Sequence, residues 1–431
     1  MDFYSLRLYA EGKGKRKGFS FCTGKYGGKK WRRLSMVYSE NAMCAILLCS
    51  YLGIKSDASV KPLSQGEWNT LLEKLAEVKE EPGAVLQNDS SWAEKVNYPK
   101  ELIERIRGLI LRGGNVALEL DDLGRKGIFV VTQFDENYPI LLKRRLKKKM
   151  PPILYYSGNI DLAKKIGIAV AGSRNVDEDG MMFTRRLVEK ASKEKLVIYS
   201  GGAKGVDTVA EETAIKTGSA VISFIADSLL SKIKKKQVTA NIISGNLLLF
   251  SDVKPDAGFS AARAMNRNKY IYASSYGAFV VAADYNKGGT WNGAMESLRN
   301  GFAKTLVWDN QNYVGNQKLI EKGCVPYDIT EESIYLAITK KEKTYEQLDL
   351  FHADTVRNGT EENQKPAENR VRENDVYDVI KEYIVAHLEN GMRVEDASKN
   401  LNVVERQMEI WLKRLCEDKL IRLDKGVYRK A

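Results

Sequence analysis

The sequence predicts an α/β protein: a doubly wound, mostly parallel sheet, preceded by a small helical domain and followed by a winged-helix domain. Three observations carry this. Short apolar runs rich in β-branched residues recur at 166–171, 196–199, 220–225, 247–250, 279–282 and 305–308, with helix-like segments between most of them. The first two runs end in turns of small residues, Gly172-Ser173-Arg174 and Ser200-Gly201-Gly202-Ala203-Lys204-Gly205-Val206-Asp207, as βα units do. A length of 431 residues, 43% of them hydrophobic, suits two or three domains with a sizeable core.

Along the chain, residues 1–35 form a basic extension. Lys13, Lys15, Arg16, Lys17, Lys29, Lys30, Arg32 and Arg33 are interleaved with Phe19, Phe21, Tyr26 and Trp31. Aromatics among cations suit single-stranded nucleic acid, although a solvated arm or a small β unit is the plainer reading. Residues 36–135 are expected to be helical, with apolar helical spacing at 42–51, 68–78 and 99–112 and a supporting role. Six cations surround Leu146 over 143–149, which reads as a solvated face or as an extension of a DNA track. The core spans 136–340, with 258–273 on a helix or its entry. Residues 341–374 are a polar linker. Within it Gln347-Leu348-Asp349-Leu350-Phe351 resembles the peptide by which bacterial proteins dock on the replicative sliding clamp. Residues 375–431 read as a winged helix-turn-helix: a helix over 375–388, the pair 393–400 and 404–415, and a wing over 420–428 with Gly426 at its tip. Its Arg406, Lys413 and Arg414 sit among Glu405, Glu409, Glu417 and Asp418, which points to protein contact or self-association ahead of duplex reading.

Composition narrows the chemistry. A net charge of +12 and a pI near 9.2 favour a polyanionic partner. Five cysteines show no CxxC pair or zinc spacing, so reduced thiols are expected. The two histidines, His352 and His387, lie outside the glycine-rich core, which excludes a His-based metal site or a Ser-His-Asp triad there. No GxxxxGK[ST] is present. The apolar run at 42–52 is too short to span a bilayer, and the basic first 33 residues lack a signal-type apolar stretch. The expectation is a cytoplasmic protein with no metal, cofactor or catalytic residue and no membrane contact. The glycine turns tell more. Both should lie at the carboxyl ends of strands, where open α/β sheets bind ligands, and glycines let backbone amides approach an anion. Arg174 and Lys204 add fixed charge beside them, so a phosphate-bearing partner is expected.

Two further motifs join these: Arg267-Asn268-Lys269, and Lys287-Gly288-Gly289-Thr290-Trp291-Asn292-Gly293-Ala294. With Tyr138-Pro139, Pro152-Ile153-Leu154-Tyr155 and Gly315-Asn316-Gln317, they make the chain resemble the DNA-processing protein A (DprA/Smf) family over roughly residues 36–330. Gly202 and Lys204 stand where many relatives have Leu and Arg, and residues 228–238 lack the family's Tyr-Pro and following Asn. The resemblance implies a Rossmann-like fold, single-stranded DNA as ligand, a RecA-type recombinase as partner, a homodimer, and no enzymatic activity. By matching position it places Arg174, Lys204, Arg267 and Lys269 on phosphates. Gly172, Ser173, Ser200, Gly201, Gly202, Gly205, Asn268, Gly288, Gly289 and Thr290 complete the expected site. Tyr270 and Trp291 read as base-stacking or core aromatics. Two other readings stay open. One is a nucleotide-sensing module of a defence system. The other is a nucleoside monophosphate hydrolase cleaving the glycosidic bond, with Glu296 and Arg174 as its groups.

Overall fold

The computed structural model describes residues 7–9, 18–20, 38–54, 60–87, 91–329, 333–339, 381, 384, 385, 388, 391–400, 405–424 and 426–430. Most of the cationic extension, the clamp-like peptide Gln347–Phe351 and most of the helix expected over 375–388 lie outside these residues. The chain forms two compact units, Met1–Ile329 and Thr330–Ala431.

The first unit opens with three short strands, β1 (Arg7–Tyr9), β2 (Gly18–Ser20) and β3 (Tyr38–Ser39), paired antiparallel. The helices expected in the first third follow at Glu40–Cys49, Gln65–Glu77 and Lys100–Leu111. The first is apolar all round and buried from Ala42 to Leu48, as a helix enclosed by others must be. The second starts with a capping box between Ser64 and Glu67. Glu67 also pairs with Arg105 at 2.7 Å, and that guanidinium holds the carboxyl near a pKa of about 2.

The sheet has nine strands: β4 (Phe129–Thr132), β5 (Ile153–Gly158), β6 (Gly167–Ala171), β7 (Val197–Ser200), β8 (Val221–Phe224), β9 (Leu247–Ser251), β10 (Gly277–Val280), β11 (Lys304–Trp308) and β12 (Val325–Tyr327). Their spatial order is β12-β11-β10-β6-β7-β8-β9-β5-β4. The seven strands from β6 to β12 are parallel, whereas β5 pairs antiparallel with both β9 and β4. This is the expected doubly wound α/β sheet of Rossmann-like type, with an antiparallel edge. Strands β6 to β10 are buried at every residue, which is why they read as continuous apolar runs with no alternation. Strand β4 falls inside the stretch read as helical: four residues are too few to show a period against helical neighbours.

Chain direction sets the functional geometry. From β6 the chain winds outward through β7, β8 and β9, then returns across the sheet to β10 on the other side of β6. Strands β6 and β10 therefore flank the switch point, where successive connections diverge and leave a crevice. The helices Ala261–Ser274 and Gly288–Asn300 cover one face. Their Tyr270, Tyr272, Trp291 and Ala294 share a core with Ala169, Tyr199 and Phe224 of the strands.

In the second unit, helices Ile334–Thr339, Val394–Asn400 and Glu405–Glu417 precede an antiparallel ribbon of β13 (Ile421–Asp424) and β14 (Val427–Lys430). The Tyr335 ring meets Trp411 edge-on at 5.1 Å and accepts its indole hydrogen bond. Gly426 has φ +82° in the connection between the strands, a conformation suited to glycine. The helices Val394–Asn400 and Glu405–Glu417 and the ribbon lie within the span read as a winged helix-turn-helix.

Candidate functional site

A crevice of about 440 Å³ opens at the switch point. Its wall takes Gly172, Ser173 and Arg174 from the turn after β6, and Ala203 and Asp207 from the turn after β7. The helix Ala261–Ser274 contributes Arg267 and Asn268. Lys287, Gly288, Gly289 and Thr290 close it.

The two glycine turns are built on one another. The Ser173 amide donates to Ala282 O at 2.8 Å, which ties the first turn to the end of β10. Gly172 leaves room for Val206, whose side chain would overlap any Cβ there. Gly205 has φ +78° and lies directly against Ser173 O, to which Val206 N donates at 3.3 Å. Close approach of backbone to backbone is what these glycines supply. The second turn then folds over its own acid. Asp207 Oδ2 accepts from Gly201 N at 3.2 Å and Ala203 N at 3.3 Å. The turn amides expected to hold an anion are thus partly spent inside the protein.

What faces the crevice instead is Arg267. Gly201 has no Cβ because the Arg267 guanidinium occupies that space. The residue is 6% exposed, yet its Nε and Nη1 have no hydrogen-bond partner among the described residues. Burial pulls the guanidinium pKa down, and the carboxylates of Asp207, Glu211 and Asp227 pull it back up. Burial likewise raises the Asp207 carboxyl, with Arg267 opposing. A buried cation with unused donors beside an open crevice is prepared for an anion.

Helix N-termini add to this charge. Helices Ala261–Ser274 and Gly288–Asn300 start without a side-chain cap, and their first residues Ala261 and Gly288 line the crevice. Their leading amides and partial positive charge face the same space. Asn268 locks the arrangement: its Nδ2 donates to Gly289 O at 3.0 Å, and a Cβ on Gly289 would overlap it.

The family model described as DNA recombination-mediator protein A matches residues 129–337. DNA processing protein DprA of Streptococcus pneumoniae is 32% identical over 156 residues, covering 36% of this chain and 55% of that protein. Residues 129–337 belong to the DprA/Smf family. Protein Smf of Synechocystis is 26% identical over 47% of this chain and 52% of its own. The chain spans about half the length of these curated relatives. Among solved structures, Streptococcus pneumoniae DprA aligns with TM-score 0.47 and 22% identity, over 62% of this chain and 90% of that one. DNA processing protein A of Helicobacter pylori, which binds single-stranded DNA, aligns with TM-score 0.39 and 23% identity over 46% and 89%.

In this DprA/Smf core the four cations singled out by motif separate into two pairs. Arg174 and Arg267 line the crevice. Lys204 is exposed and lies outside the lining, as do Ser200, Gly201, Gly202 and Gly205. Lys269 lies beyond the rim, where its Nζ donates to Asn266 Oδ1 at 2.7 Å and sits 5.4 Å from the Tyr270 ring centroid. Tyr270 and Trp291 are core: Tyr270 donates to Asp252 at 2.8 Å, and both rings are buried. Glu296 is half-buried and outside the crevice lining, apart from Arg174.

Other residues enter unannounced. Lys232 reaches Gly202 O at 3.3 Å from the segment that departs from the family pattern. Phe259 and Met265 stand at the crevice 60% and 51% exposed.

Proposed function

We propose that the crevice binds single-stranded DNA by its phosphates, without reading sequence, and that the protein protects the strand and loads a RecA-type recombinase on it. The observation that carries this is the buried, unpartnered Arg267 guanidinium, backed by Arg174 and the two open helix N-termini. Together they offer charge and donors to an anion. Phosphate contacts of this kind give affinity and leave specificity to other groups. The family's description as recombination mediators supports the same reading. A homodimer would set two crevices along one strand, and the pentamer Gln347–Phe351 would add a sliding clamp as partner.

The test is fluorescence anisotropy of a labelled oligo-dT and its duplex across a salt series. Preference for the single strand is expected, with log K falling by about 0.7 per log unit of salt for each phosphate neutralised. Arg174→Ala should weaken binding and reduce that slope. Duplex preference, or a variant with parental affinity at every salt, would overturn the assignment.

The crevice volume also suits a single nucleotide, since small-molecule pockets run from about 300 to about 1,000 Å³. Thermal stabilisation by a mononucleotide with no oligonucleotide binding would favour that sensor reading.

A further inference from the structure

The cationic run at 143–149 is not one solvated face. Lys143 Nζ donates to Gln133 O at 2.7 Å, and Arg145 turns inward to the carbonyls of Tyr272, Ala273 and Ser275 at the end of the motif helix Ala261–Ser274. The charges left outside are Arg144 and those of the turn Lys147–Lys149. That turn is firmly held. Gln65 donates to Lys148 O and Met150 O, Asn69 donates to Lys148 O at 2.7 Å, and Lys148 pairs with Glu73 at 2.6 Å. Lys147 itself has φ +50° and ψ −119°, a conformation that disfavours any side chain. Such a backbone costs roughly 1–3 kcal/mol and persists only where its surroundings impose it.

The anchoring exposes Lys147 and Lys149, neither of which forms an ion pair among the described residues. The Arg145 contacts seat the helix that leads into this turn against the end of the motif helix, one helical turn beyond Lys269. Burial lowers the Lys269 ammonium pKa and the charge of Lys149 lowers it further, against Glu296 and Asp252. Lys269 in turn stands one helical turn from Met265 at the crevice, on neighbouring positions of one helix surface. Like charges held together by a rigid, strained turn gain nothing from one another. They are stabilised by a polyanion that reaches all of them.

We propose that Lys147, Lys149 and Lys269 form a second phosphate track, which carries a single strand out of the crevice over the Met265 rim. This rests on the crevice binding single-stranded DNA and says where the strand goes next.

The test uses the full chain with two oligo-dT lengths, about 4 and about 16 nucleotides, near the limits of single-strand site sizes. The short one is measured by competition. In the double variant Lys147→Glu, Lys149→Glu, the affinity for the long strand should fall at least tenfold, and its salt slope should drop by about 1.4, two phosphates' worth. The short strand should bind as to the parent. Lys147→Gly, which relieves the backbone, should raise the melting temperature while still lowering the long-strand slope by about 0.7. Unchanged long-strand binding, or equal loss at both lengths, overturns the track and leaves the crevice reading intact. A parent that binds neither length overturns both.

Discussion

At the scale of single residues, Gly201 and Gly205 separate binding from folding. A methyl group on Gly201 meets the Arg267 guanidinium, the movable end of a side chain, so Gly201→Ala should fold normally and displace the arginine. Oligo-dT affinity should then fall tenfold or more with little change in melting temperature. Gly205→Ala meets the backbone carbonyl of Ser173 at φ +78°, which cannot yield as a side chain can. It should lower stability by roughly 1–3 kcal/mol. Thermal unfolding and anisotropy on the two variants decide the matter; parental binding by a folded Gly201→Ala protein would remove Arg267 from the site. These roles are only half legible in the sequence. The motif Ser200–Asp207 announces a tight turn at a strand end, but not that its Asp closes on Gly201 and Ala203. The Arg-Asn-Lys motif places Arg267 among the expected phosphate contacts but does not show its burial, which depends on Gly201, 66 positions away. Asn316 is similar: the motif that contains it was visible, but its hydrogen bonds to Val281 O, Trp308 O and Ala283 N join the ends of strands distant in sequence.

At the scale of elements, two arginines close helix ends from inside the protein. Arg112 donates to Leu47 O, Ser50 O and Leu52 O around the end of helix Glu40–Cys49, and burial lowers its pKa to about 10. Arg145 does the same for Ala261–Ser274, with its pKa also lowered to about 10 by burial. A cation at a helix C-terminus satisfies orphan carbonyls and opposes the dipole. Because that helix carries Arg267 and Asn268, its far end bears on the crevice. Arg145→Met should cost about 2 kcal/mol through the carbonyls left unpaired. The exposed neighbour Arg144→Met should be close to neutral, and equal melting temperatures for the two would refute the capping role. Nothing in a run of cations tells which one turns inward; the packing of helix Ile140–Leu146 on the motif helix decides it. The central parallel strands were legible because burial on both faces leaves uninterrupted apolar runs. The antiparallel edge of β4 and β5 was not, since its pairing with β9 is a long-range contact.

At the scale of the whole molecule, every described group of the crevice lies in the unit Met1–Ile329, and so do Lys147, Lys149 and Lys269. The unit Thr330–Ala431 has a different character. On its helix Glu405–Glu417 the exposed Lys413 pairs with Glu409 at 3.0 Å, so that cation is already answered. A cation already paired offers less to a phosphate backbone, whose affinity comes from cations that displace counterions. The two units should therefore divide the work, strand binding in the first and protein contact in the second. A chain ending at Ile329 is expected to unfold cooperatively and to bind oligo-dT with the affinity and salt slope of the full protein. It should lose any binding to the sliding clamp, since Gln347–Phe351 is then absent. Reduced strand affinity in a folded truncated chain would assign part of the DNA contact to the second unit, and retained clamp binding would dismiss the pentamer as the docking peptide. Full affinity with an unchanged slope would locate every phosphate contact in the unit Met1–Ile329, whose sheet topology leaves a crevice for it.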